Sequence, residues 1–212
     1  MLLYLISSKG VVTMTVENIV SIYRLATPEE KRDGVVWYAE ALAECNRMAL
    51  DFDVPLHIVV GVCAALSPNN RWERNIQNTR DMVQAYVNGD GIDSFKVSTY
   101  HTMKAKGWSI LDAMPHDDAG VIDILNGQKI ISFFRNIMGY DGCTIDGHAR
   151  NIAYGVREGL TGSISIGKKE YAQLQDEYVE AGKKVRLNGR ALKAFEMQAI
   201  AWVAWRRIHG IG

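Results

Sequence analysis

The stretch Ile124-Leu125-Asn126-Gly127-Gln128-Lys129-Ile130-Ile131, followed by Thr144-Ile145-Asp146-Gly147-His148-Ala149-Arg150, carries most of what this 212-residue sequence says about its fold. Apolar residues recur at helical spacing on both sides of Asn126-Gly127. That pattern predicts a short helix over 118–125, a turn, and an apolar helix over 129–138, so that residues 118–138 read as a helical hairpin. The turn leaves the first backbone N–H groups of the second helix without intrahelical partners. Together with the helix dipole they favour a phosphate, and Lys129 adds a cation at the same point. Asp146 stands seventeen residues after Lys129 and opens a further helix over 146–156. The dipole there favours a carboxylate anion.

Working outward, the pattern is helical almost throughout. Thr27-Pro28-Glu29-Glu30 is a helix start with a mechanism: Thr27 caps, Pro28 suits the first turn, and Glu30 closes a capping box. The helix it opens is predicted to run to about Asp51. Pro55 begins another, over 56–66, which is apolar nearly all round and therefore central and buried. Pro68 interrupts it, and an amphipathic helix follows over 72–87, ended by Asn88-Gly89-Asp90-Gly91. Further helices are expected over 100–114, 168–182 and 189–209, with 159–167 as a Gly/Ser-rich loop. No alternating run demands a sheet, and the expected class is all-α with about eight to ten helices, as one domain or two small lobes.

Composition narrows the function classes. With 48% hydrophobic and 23% charged residues the sequence is that of an ordinary globular protein. The apolar run Leu2 to Ile6 is too short to span a membrane, and Met14 serves equally well as a start, so no targeting segment and no membrane partner is expected. Cys45, Cys63 and Cys143 are too scattered for a disulfide framework, a zinc site or an iron–sulfur cluster, which implies a reduced, cytoplasmic setting with no metal and no cofactor. Cys63, inside an apolar run, reads as a small core residue. Net charge is zero, but residues 183–212 hold seven Lys/Arg against the single acid Glu196. Such a basic stretch suits either a phosphate-facing surface or a solvated helix end.

The hairpin and the Asp146 segment resemble the helix-hairpin-helix DNA glycosylase superfamily, which includes the endonuclease III and adenine glycosylase types. The family pattern is a Leu-x-Gly hairpin, a helix, and a Val-Asp-x-His segment holding the catalytic aspartate. Leu125, Gly127, Asp146 and His148 fall on it, with Ile145 in the Val position. Ala65-Leu66-Ser67-Pro68-Asn69-Asn70 looks like the family's apolar helix ending in Leu-Ser before amide side chains that enter DNA, and Lys104-Ala105 resembles its Lys-Ala. Together these cover 59–156. The likeness is nearest to small phage-encoded members that share Trp-Glu-Arg-Asn, Gly-x-Lys and Asp-x-His-Ala, here Trp72 to Asn75, Gly127 to Lys129 and Asp146 to Ala149.

Two departures set what the resemblance implies. The Schiff-base lysine of bifunctional members falls on Ile131, and the C-terminal four-cysteine iron–sulfur loop is absent. The implied protein is thus a monofunctional N-glycosylase acting on a modified, damaged or mismatched base in double-stranded DNA. Residues 1–26 form an extension or first helix, and 27–212 the glycosylase-like domain. Candidate catalytic residues are Asp146 and Lys129. Candidate DNA contacts are Asn69, Asn70, Arg71, Gly127, Gln128, Lys129, His148 and Arg150. Two alternatives stand beside this: a phage transferase joining an amine to an activated hydroxymethylpyrimidine, and a non-catalytic DNA-binding module.

Each of these residues also has a plainer reading. Asp146 alone is an ordinary helix N-cap, and His148 suits a structural hydrogen bond. Asn69, Asn70 and Arg71 serve equally as a polar turn or as groups that fill the gap left by a flipped nucleotide. Trp72, Trp108, Trp202 and Trp205 lie in apolar-periodic stretches and read as core. Arg150, Arg206 and Arg207 face either phosphates or solvent.

Overall fold

The structure, a computed structural model, describes residues 15–159 and 165–211. The expectations for the first dozen residues and for the middle of the 159–167 loop lie outside these residues. The described residues form ten α-helices, one short 3-10 turn at Ile92–Ser94, and no β-strand. The protein is all-α, as expected. The described residues divide into two compact units, one built from the described residues up to 35 and from 145 onward, the other from residues 36–144.

The first unit holds α1 (Thr15–Leu25), the opening turns of α2 (Pro28–Phe52), α8 (Gly147–Tyr154), α9 (Lys168–Lys183) and α10 (Ala194–His209). Ile19, Val20 and Tyr23 recur on one face of α1 and are buried against α8, α9 and α10. With Ile152, Leu174, Tyr178, Met197 and Ile200 they make this unit's core. Each such side chain contributes about 1.5–3 kcal/mol on burial. α2 starts on the capping box read from the sequence: the Glu30 N–H donates to Thr27 Oγ1 at 3.2 Å, and the Thr27 N–H to Glu30 Oε2 at 2.8 Å. Gly34 lets α2 lie directly on α10, since a Cβ there would stand 2.8 Å from the Ile200 backbone.

The last helix starts later than its periodicity suggests. Leu187 and Arg190 pair across a tight turn, with Asn188 and Gly189 both in the left-handed region at φ 52° and 81°. The helix can begin only at Ala194, where Glu196 accepts the Lys193 N–H at 2.8 Å.

The second unit is built around α3 (Leu56–Leu66), in which every residue from Ile58 to Leu66 is buried. A helix apolar on all sides needs neighbours on all sides. α4 (Trp72–Val87), α5 (His101–Ala113), α6 (Asp118–Leu125) and α7 (Gln128–Ile137) all pack on it. Small residues set the spacing: a Cβ at Gly61 would meet Val121, and one at Gly107 would meet Met82. Cys45 and Cys63 are both fully buried here, and Asn75 Nδ2 donates to the Cys63 carbonyl at 3.1 Å.

Candidate functional site

The hairpin forms at the expected place, with one difference in its turn. Asp117 caps α6 by accepting the Gly120 N–H at 3.0 Å, and α6 ends on Asn126 in the left-handed region at φ 42°. Gly127, at φ −165°, is ordinary extended backbone. Asn126 therefore makes the reversal, which its short polar side chain tolerates. Gly127 instead lets the turn close on Ile130, which a Cβ would approach within 3.3 Å. Buried Leu125 and Ile130 anchor the two sides, and Lys106 Nζ donates to the Leu125 carbonyl. Among the described residues no side chain caps α7; Gln128 is half-buried beside its first turn and Lys129 is exposed.

The Asn69–Arg71 segment lies in the same unit. Asn69 is exposed and left-handed at φ 53°, and Arg71 is exposed at the start of α4. Asn70 is tied down: its Nδ2 donates to the Leu66 carbonyl at 3.1 Å and to Asn78 Oδ1 at 3.3 Å. An aromatic cluster links this segment to the hairpin. The Trp72 ring lies 4.9 Å from Trp37, which lies 5.9 Å from Phe133, one turn beyond Lys129 on α7. Lys104 has a structural post, donating to the Phe95 carbonyl at 2.6 Å with its ammonium over the Phe95 ring.

Asp146, His148 and Arg150 fall in the first unit, on α8. Asp146 is the N-cap, with Oδ1 accepting the Ala149 N–H at 2.7 Å. Its Oδ2 accepts the Trp202 indole N–H of α10 at 3.2 Å, and the residue is half-buried. A carboxylate offers about four lone-pair positions. Two are taken, so the group can still orient a water or face a positive charge. His148 lies edge-on to Trp202 at 6.3 Å, and the Arg206 guanidinium covers the indole at 4.4 Å. Below them, burial first, then Arg157 and His148, hold the His209 imidazole below its ordinary pKa, with its ring 3.9 Å from Trp205.

Arg150 is engaged within the unit. It pairs with Glu158 at 2.8 Å and Glu170 at 2.9 Å, and packs over Tyr154. Four of the seven basic residues of the C-terminal stretch are paired as well: Lys183 with Glu180, Lys184 with Glu17, Arg190 with Glu196 and Arg207 with Glu30. Trp202, read from sequence as core, is a half-buried part of the Asp146 site, while Trp205 is buried. No local signal marks the difference, because Asp146 and Trp202 stand 56 positions apart.

Among the described residues, no three His, Cys, Asp or Glu side chains are grouped to hold a metal ion, and no helix is long and apolar enough to cross a membrane. No curated protein and no solved structure matches the chain. A family model does match, over residues 4–209, and by it the chain belongs to the family of unknown function DUF7178.

Proposed function

We propose that this protein is a DNA-acting enzyme of the helix-hairpin-helix glycosylase type, a monofunctional N-glycosylase that extrudes and excises a modified or mismatched base. The observation that carries this reading is the Asp146 carboxylate at the N-terminus of α8, half-buried, held on both oxygens by N–H donors and retaining free lone pairs. Loss of a base builds positive charge on the sugar, and a fixed anion beside it lowers the barrier. The C1′–N bond breaks with its electron pair leaving on the base, which takes a proton from solvent. A water oxygen bonds to C1′ and gives up a proton to Asp146, which later releases it to solvent.

The hairpin supports the DNA half of the reading. The first-turn amides of α7, which no side chain of the described residues caps, and exposed Lys129 suit a sugar-phosphate strand. Asn69 and Arg71, exposed beside α4, suit contacts to the displaced position.

The test is incubation with duplexes carrying uracil, 5-hydroxymethyluracil or a mismatch, scored together for alkali-labile sites and base mass. Wild type is expected to make abasic sites. Asp146→Asn keeps a good N-cap and DNA binding but loses about 10²–10³-fold in rate. Full activity in that variant excludes the mechanism. A mass gain without abasic sites identifies the amine transferase instead, and salt-sensitive binding with neither outcome identifies a binding module.

A further inference from the structure

We infer that Trp202 is a positioning residue of the Asp146 site, holding the carboxylate plane through its indole N–H. The inference rests on the reading of Asp146 as the acting group and adds a residue that the motif pattern does not contain. An N-cap needs one bond, and Ala149 N–H to Oδ1 supplies it at 2.7 Å. That bond leaves the carboxyl plane free to turn about its last torsion, a soft one. The second bond, from Trp202 Nε1 to Oδ2 at 3.2 Å, removes that freedom. Indole is a donor only, and its bond is strongest to the anion, the form that stabilises positive charge on the sugar.

Trp202 is itself held. Residues on either side of it along α10, Ala199, Ile200, Ala201, Ala204 and Trp205, are buried and fix the backbone that carries it. One turn on, the Arg206 guanidinium lies 4.4 Å over the ring, and Arg206 Nε is in turn directed at the Ile211 carbonyl at 3.3 Å. A cation on the ring face draws electron density from the indole and makes its N–H a better donor. His148, on the first turn of α8, stands 6.3 Å from the indole with its ring nearly perpendicular to it. The indole thus has a cation over its ring, an imidazole beside it and its one polar atom on Asp146. Trp205, three positions on, points into the core.

The test separates the hydrogen bond from packing. In a ¹H–¹⁵N spectrum the five tryptophans give five indole signals; Trp202→Phe assigns one of them. That signal is expected downfield in wild type and to move upfield in Asp146→Asn. In the duplex that wild type processes fastest, Trp202→Phe should lower kcat by about tenfold or more with KM within about twofold. Replacing Trp202 with 3-benzothienylalanine keeps the ring shape and removes only the donor, and it should reproduce the kcat loss. An indole signal indifferent to Asp146→Asn overturns the inference, as does an unchanged kcat in the benzothienyl protein. If wild type makes no abasic sites from any duplex, the glycosylase reading fails and this role in catalysis falls with it, a result distinct from an active wild type with an indifferent indole.

Discussion

Arg207 Nε donates to Glu30 Oε1 across 2.6 Å, joining the last helix to the first turn of α2 over 177 positions of chain. The same guanidinium reaches Glu30 Oε2 at 3.1 Å and the Leu25 carbonyl at 2.8 Å. Chiefly through the Arg207 hydrogen bond, and against the opposing effect of burial, the Glu30 carboxyl is held below its ordinary pKa of 4.5. A carboxyl with a depressed folded value contributes stability above the unfolded value, and that contribution is lost as pH falls through the folded one. Glu30→Gln should therefore lower Tm at about pH 6, and the gap to wild type should narrow steadily through the acid range. A gap that stays constant with pH would show that the pair contributes nothing through its charge.

Gly34 is where α2 meets α10. Alanine is the better helix former by about 1 kcal/mol, which taken alone predicts a more stable Gly34→Ala protein. The added Cβ, however, would stand 2.8 Å from both the Ile200 nitrogen and its Cα, which are backbone and cannot swing aside. Overpacking of that kind costs about 1–3 kcal/mol, so the net change should be destabilising. A urea midpoint at or above that of wild type would show that the two helices separate freely.

Lys129 and Arg150 make opposite predictions. Lys129 is exposed, so Lys129→Ala should leave Tm unchanged and reduce the salt dependence of DNA binding by about 0.9 in the log–log slope, one phosphate contact. Gly127→Ala, at an extended φ that any residue adopts, sets a Cβ 3.3 Å from Ile130 and should fold with a modestly lower Tm as that side chain shifts. Arg150→Ala should do the reverse of Lys129→Ala, lowering Tm through the loss of Glu158 and Glu170 while leaving the salt slope alone. Titration of a fluorescent duplex at several salt concentrations, beside thermal melts, checks all three.

The thiols should be inert in the native state. The hydrogen bond with Cys63, then burial, pushes the Cys45 thiol up, and burial pushes up that of Cys143. All three cysteines are buried, and none forms a disulfide. A thiolate reagent at about pH 8 should find no fast-reacting cysteine in the folded protein and all three after denaturation. A rapid native equivalent would place one of them at the surface.

The helices were legible because their ends are written in neighbouring residues. Pro55 and Pro68 bracket α3, Asn88-Gly89 stops α4, Pro115 separates α5 from α6, and Thr27 with Glu30 opens α2, each a local conflict or local hydrogen bond. The hairpin and the N-cap role of Asp146 are equally local. The later start of α10 was not, because apolar spacing over 189–193 is compatible with a helix until Leu187 pairs with Arg190 and Asn188 and Gly189 turn left-handed.

By itself, then, the sequence determined an all-α chain, the position of nearly every helix, and the placement of Asp146 at a helix start. The tertiary structure decided what each long side chain reaches: Arg207 on Glu30, Arg150 between two glutamates, and Trp202 on Asp146 rather than in the core. The physical reason is range. Backbone hydrogen bonding and caps act within about four residues, whereas an indole 56 positions away finds its carboxylate only once buried faces have set the angle between two helices.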